Sequence, residues 1–295
     1  MSNGSNEIET PNEPAHRAGL FGQRLVPIRY LAPNLATLLA LCAGVTAIRA
    51  AIEARYELAV ALIVLAALLD GVDGRLARAL NAQSRFGAEL DSLADFVSFG
   101  VAPAVLLFMW GLTPLQGLGW IAVLIFACAA SLRLARFNAA LDEDRPKWQS
   151  DYFTGVPAPA GAIAVMLPIY LDEAGLVSMR HVPLAIGAYA LLVAGLLVST
   201  IPTFSGKLAG ERIAREYVRP ALVCAALAVA LLLTYPFATL AAVTLAYLAL
   251  IPLGVSRFKA RRRAWEADLK RGNVFADKPA APAPDSPAPP TETRH

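Results

Sequence analysis

The sequence predicts an all-α protein, a polytopic membrane bundle of about eight transmembrane helices. Three observations carry that expectation. The chain is 57% hydrophobic, with a mean hydropathy of +0.52, well above a soluble composition. Its apolar residues fall into eight runs, each near the ~20 residues that span a bilayer. Its arginines and lysines collect in alternate connections, as the positive-inside rule expects of a chain that crosses repeatedly.

Taken in order, residues 1–16 are polar and rich in Pro, Asn and Glu. They lack the basic and apolar regions of a signal peptide and read as a disordered N-terminal tail. Residues 17–255 form the membrane-embedded domain. It opens on a juxtamembrane segment, 18–30, that mixes apolar residues with Arg24 and Arg29. Such a segment suits either an interfacial position or a plain basic flank. The eight runs lie at 31–50, 57–79, 88–111, 118–137, 155–173, 182–200, 218–234 and 236–254. Only Tyr235 and Pro236 separate the last two, so one broken segment is the alternative there. Pro103 is expected to kink the third run. Trp110 and Trp120 flank an uncharged loop and read as interface anchors. Residues 256–295 read as a cytoplasmic tail, basic at 257–263 and then Pro/Ala-rich, a composition that builds no packed core. The basic part either holds anionic lipid or simply marks the inner side.

Charge orients the bundle. Arg24 and Arg29 precede the first run, and Arg75, Arg78 and Arg85 surround the second turn. Arg133, Arg136, Arg145 and Lys147 lie around the fourth connection, and Lys207, Arg212, Arg215 and Arg219 around the sixth. Opposite connections carry Arg49 and Arg55, offset by Glu53 and Glu57, then no charge, then Arg180. Both termini are therefore expected at the cytoplasmic side. The net charge of +3 is small, and no nucleic-acid partner is expected. Cys42, Cys128 and Cys224 lie far apart in apolar runs and read as fillers. His16, His181 and His295 fall outside the runs, which argues against histidine-based catalysis.

The chemistry concentrates between residues 70 and 95. Asp70 and Asp73 are three apart and Asp91 and Asp95 four apart, so each pair shares one face of a helix. Carboxylates at membrane depth are costly and mark functional sites. Two facing helices would bring all four to one point, where hard cations such as Mg²⁺ or Mn²⁺ would relieve their repulsion. Gly74, Ala77 and Gly87 leave room for a ligand, and Arg78 and Arg85 suit phosphate. The pattern describes a divalent-metal site for a phosphate ester.

The spacing Asp70-x2-Asp73-Gly74-x2-Ala77-Arg78-x8-Gly87-x3-Asp91-x3-Asp95 resembles the signature of the CDP-alcohol phosphatidyltransferases, with all eight fixed positions filled. That resemblance implies the family's membrane fold and a phosphatidyl transfer from CDP-diacylglycerol to an alcohol, with release of CMP. It implies that Asp70, Asp73, Asp91 and Asp95 hold one or two Mg²⁺ or Mn²⁺ ions, and that Asp95 is also the general base. Asn34, Gly74, Ala77, Arg78, Ser84 and Gly87 match positions on the CDP-diacylglycerol side. The segments 91–104, 131–138, 152–160 and 199–205 resemble the phosphatidylserine synthases of bacteria, which implies L-serine as the acceptor and a bacterial inner-membrane location. Arg133 or Arg136 could then hold the serine carboxylate, helped by Ser98 and Asn138; alternatively both arginines only cap a helix end. Membrane lipids and a second copy, in a homodimer, are the expected partners. Another alcohol, such as glycerol 3-phosphate, inositol phosphate or choline, is the alternative acceptor. A cation-coupled transporter is the remote alternative, disfavoured because no second, inverted set of acids is present.

Overall fold

A computed structural model of the chain describes residues 31–140, 152–199, 202–204 and 215–270. It is a bundle of nine helices among those residues. They are α1 (Leu31–Ile52), α2 (Tyr56–Ala79), α3 (Arg85–Leu115) and α4 (Gly117–Ala139), followed by α5 (Ala158–Val165), α6 (Leu167–Glu173) and α7 (Pro183–Val198). The last two are α8 (Arg215–Thr234) and α9 (Pro236–Lys270). The N-terminal tail, the juxtamembrane segment, the C-terminal tail beyond Lys270 and the loop residues Arg145, Lys147, Lys207 and Arg212 lie outside the described residues.

Small side chains decide how the first helices meet. Ala40, Ala43, Gly44, Ala47, Ala50 and Ala51 form one buried stripe on α1, against which Ala59, Val60, Ile63 and Ala66 of α2 are buried. Within lipid, packing of small residues is what lets backbones approach and hold. Gly44 is the tightest point: a Cβ there would collide with Ser98 Oγ and sit 2.8 Å from Ser98 Cα on α3.

The long helix α3 is the axis of the bundle. Its most apolar stretch is 61% buried, against 44% for α1 and α4 and 17% for the apolar part of α9. Phe99, Leu106 and Leu107 of α3 join Phe126 of α4 and Met166, Ile169 and Tyr170 around α6 in the core. The helix is irregular. It widens into π turns at Phe96–Val101 and Phe108–Leu112. Pro103, where a kink is expected, lies just beyond the first π turn, near the start of the stretch Ala102–Leu107.

Two expectations change. Trp110 is only 2% exposed and packs in the core, because the second π turn carries it inward; it is not an interface anchor. Trp120 is outward at 46% exposure, edge-on to Phe108 with ring centroids 5.2 Å apart. Among the described residues four helices are long and apolar enough to cross a membrane, at Leu31–Ile52, Arg85–Leu115, Gly117–Ala139 and Pro236–Ser256. The other runs form helices that are shorter, interrupted or charged. α2 has 24 residues but carries Glu57, Asp70 and Asp73, and the fifth run is broken at Met166, ahead of Pro168. The seventh and eighth runs are separate helices, divided at Tyr235. α9 then continues through the basic residues 257–263 without interruption.

The all-helical plan has one small addition. Tyr152–Thr154 (β1) and Pro202–Phe204 (β2) pair antiparallel, Tyr152 opposite Phe204. The pair joins the entry to α5 with the exit from α7, at the same end of the bundle as the aspartates.

Candidate active site

The site is built by the α2–α3 hairpin and the first turns of α1. α2 ends at Ala79, and the chain reverses through Asn81, which takes the left-handed conformation (φ 49°). Ser84 then caps α3, its Oγ accepting from Gly87 N at 3.0 Å. That cap is worth about 1 kcal/mol, and it fixes where α3 begins. Asp70 and Asp73 near the end of α2 therefore face Asp91 and Asp95 near the start of α3.

Three of the four carboxylates converge. Asp70, Asp91 and Asp95 each offer an oxygen within 4.8 Å of the others, and all three are half-buried. Among the described residues no lysine or arginine lies within ion-pair distance of any of the four, the ion pairs there being Arg49 and Arg55 with Glu53. Three like charges held together in a low-dielectric setting call for a cation. An all-oxygen set with open positions fits a hard divalent ion.

Asp73 stands apart. It is 5% exposed, and its Oδ2 accepts a hydrogen bond from Thr37 Oγ1 of α1 at 2.7 Å. It lines an open cleft of about 380 Å³ together with Asp91, a volume within the ~300–1,000 Å³ of small-molecule sites.

All six residues expected on the nucleotide side line this cleft: Asn34 from α1, Gly74, Ala77 and Arg78 from α2, and Ser84 and Gly87 at the start of α3. The glycines are explained by space. A Cβ on Gly87 would lie 3.1 Å from both Asn34 Oδ1 and Ser84 Oγ. A Cβ on Gly74 would meet nothing nearer than Arg78 Nη1 at 3.6 Å, so what it would obstruct is the cleft itself. The positive end of α3 and the Arg78 guanidinium give the cleft an anion-binding character.

The four residues expected near an acceptor are placed differently from one another. Arg133 is 8% exposed; its Nε donates to Val156 O at 2.8 Å, and its charge acts on Asp95 and Asp70. Arg136 is exposed and donates from Nη1 to Val198 O at 2.7 Å, at the C-terminus of α7. Asn138 Nδ2 donates to Ser92 Oγ at 2.8 Å, tying α4 to α3. Ser98 is buried, and its hydroxyl donates to Ala40 O at 3.2 Å in the α1–α3 contact. Ser98 thus lies in helix packing, and Arg133 is the member near enough for its charge to act on the carboxylates.

The family model for CDP-alcohol phosphatidyltransferase matches residues 30–201. The chain belongs to this family. A second model, CDP-alcohol phosphatidyltransferase 2, matches residues 216–252. A relative from Mycobacterium tuberculosis (strain CDC 1551 / Oshkosh), named CDP-diacylglycerol–serine O-phosphatidyltransferase, is 38% identical over 263 residues, 88% of this chain and 87% of the relative. Proteins of the same name from Helicobacter pylori (strain J99) and Saccharomyces cerevisiae are 38% and 43% identical over 144 and 119 residues. Those two stretches cover 49% and 39% of this chain, and 59% and 42% of the respective relatives. The first phosphatidyltransferase match spans the whole α1–α3 site, so the cleft and the carboxylate cluster lie within the family's own domain.

Sequence reasoning missed Thr37. Its only signal is position, one turn beyond Asn34 as a polar residue inside an apolar run. Gln83, also on the cleft wall, gave none.

Proposed function

We propose that the protein transfers the phosphatidyl group of CDP-diacylglycerol to the hydroxyl of L-serine, giving phosphatidylserine and CMP. The observation that carries this reading is the meeting of three carboxylates beside a cleft lined by all six expected nucleotide-side residues. Serine as the acceptor is supported by the names of the relatives that align over most of the chain.

In this reading Asp70, Asp91 and Asp95, with Asp73 on the cleft side, hold one or two Mg²⁺ or Mn²⁺ ions. The bound cation supplies charge neutralisation of the diphosphate and a better leaving group. The chain's own residues do the rest. Asn34, Gly74, Ala77, Arg78, Ser84 and Gly87 seat the nucleotide and leave the lipid phosphorus next to the carboxylates. Arg133 binds the serine carboxylate and brings the hydroxyl toward Asp95. Asp95 accepts the hydroxyl proton as the serine oxygen attacks phosphorus, and the bond from phosphorus to the CMP oxygen breaks. Among the described residues no activated Ser, Cys or His stands in the cleft, so the displacement is direct and leaves no covalent enzyme intermediate.

The protein works at the inner membrane with its site facing the cytoplasm, as a homodimer. The exposed apolar faces of α8, Leu222, Leu227 and Leu233 among them, suit lipid or a second copy.

The test is CMP release by purified protein in detergent, with CDP-diacylglycerol and Mn²⁺ or Mg²⁺. Serine, glycerol 3-phosphate, inositol phosphate and choline are offered in turn. Release with serine alone, abolished by a chelator, is expected; release only with another alcohol would discard serine. Asp95→Asn should lower turnover by at least ~10²-fold, the low end of general-base contributions, while inserting normally. An active Asp95→Asn variant would remove the base assignment.

A further inference from the structure

Asp73 is the carboxylate that the α2–α3 hairpin alone does not explain. It sits on the same helical face as Asp70, yet the converging oxygens belong to Asp70, Asp91 and Asp95. What distinguishes Asp73 is its partner on another helix, Thr37, which is 5% exposed and 36 positions away in sequence. Thr37 Oγ1 has two acceptors in reach, Asp73 Oδ2 at 2.7 Å and Pro33 O at 3.1 Å. It has one proton to give. The short contact to an ionised oxygen is the stronger bond, and the Pro33 carbonyl is the ordinary fallback of a helical threonine.

We propose that Thr37 is a positioning residue of the metal site, holding one oxygen of Asp73 so that its other oxygen serves the nucleotide side of the cluster. This rests on the metal-dependent reading above. Without the tie, repulsion from the neighbouring carboxylates and a free side-chain torsion would turn Asp73 away from any fixed position. The hydroxyl is held in turn: threonine's branched Cβ restricts its torsion, and α1 is locked to α2 by the alanine stripe. Hydrogen bonds of this outer kind govern metal affinity by about 10–100-fold. Because Thr37 and Asp73 share the cleft wall with Asn34 and Gly74, the effect falls on the metal and the nucleotide lipid. The proposed acceptor side, where the Arg133 charge acts on Asp95 and Asp70, is left alone.

The experiment compares wild type, Thr37→Val, Thr37→Ser and Asp91→Asn, each purified in detergent. Mn²⁺ binding is followed by electron paramagnetic resonance without substrate, and the Michaelis constants for both substrates are then measured at low and high Mn²⁺. Thr37→Val, which keeps the shape and loses the hydroxyl, should weaken Mn²⁺ binding about tenfold or more. It should raise the KM for CDP-diacylglycerol, leave the KM for serine unchanged, and recover turnover at high Mn²⁺. Thr37→Ser should behave as wild type. The proposal is overturned if Thr37→Val binds Mn²⁺ within twofold of wild type, or if its only change is a lower melting temperature. Equal impairment of the serine variant would also overturn it. Failure of the wild type itself to bind Mn²⁺ any better than Asp91→Asn would instead bring down the metal reading, and this proposal with it.

Discussion

Gly74 shows how a single residue can be chosen against stability. It lies inside α2, where glycine costs about 1 kcal/mol relative to alanine. Nothing in the protein demands it, since the nearest atom to a Cβ there would be Arg78 Nη1 at 3.6 Å. The space it leaves belongs to the cleft. Gly74→Ala should therefore raise the melting temperature slightly while raising the KM for CDP-diacylglycerol several-fold. Thermal unfolding beside initial-rate kinetics separates the two effects, and an unchanged KM would mean the ligand does not approach this backbone. Arg78, exposed on the same wall, makes the complementary case. Arg78→Gln should leave folding intact and weaken the nucleotide lipid, since only the guanidinium suits a diphosphate bidentately; a KM equal to wild type would count against that contact. The aspartates, glycines and Arg78 were legible in the sequence because their spacing is local to one hairpin. Thr37 was not, because its bond to Asp73 joins two helices whose register depends on packing.

At the scale of elements, the α1–α3 crossing decides whether the two halves of the site meet. Asn34 and Thr37 come from α1, and Asp91 and Asp95 from α3. One turn or more beyond them, Gly44 and Ser98 hold the two helices at contact distance, with Ser98 Oγ donating to Ala40 O. Gly44→Leu forces the helices apart. Overpacking of this kind costs about 1–3 kcal/mol, so the melting temperature in detergent should fall, with loss of Mn²⁺ affinity alongside. A stable Gly44→Leu protein with normal metal affinity would mean that this crossing does not set the site. Periodicity gave the helices but not this geometry. The π turn at Phe96–Val101 rotates everything beyond Asp95 relative to a regular helix, which brings Ser98 against α1 and, with the second π turn, Trp110 into the core. A helical wheel drawn at 3.6 residues per turn cannot show that rotation. The short β1–β2 pair was equally hidden, since each strand is three residues long and defined by its distant partner.

For the molecule as a whole, the two ends of the bundle differ in how their charges are paired, and that difference predicts its orientation. At one end Arg49 and Arg55 both pair with Glu53, at 2.7 and 3.9 Å, and the α3–α4 turn at Gln116 carries no charge. At the other end Arg75, Arg78 and Arg85 are exposed with no ion pair among the described residues. Unpaired cations resist translocation, and the rule counts arginines and lysines near the ends of spans. The aspartate cluster lies at the cationic end, so orientation and substrate access are one question: CMP must leave on the side where the arginines stay. Ala79 ends α2 beside the site and Gln116 sits in the opposite turn; both are exposed. With Cys42, Cys128 and Cys224 replaced by alanine, Ala79→Cys should react with an impermeant maleimide only in inverted vesicles, and Gln116→Cys only in intact cells. The reverse labelling would put the carboxylates outside, away from any cytoplasmic nucleotide. Labelling of both positions from one side would break the bundle as drawn, because α3 would then fail to cross.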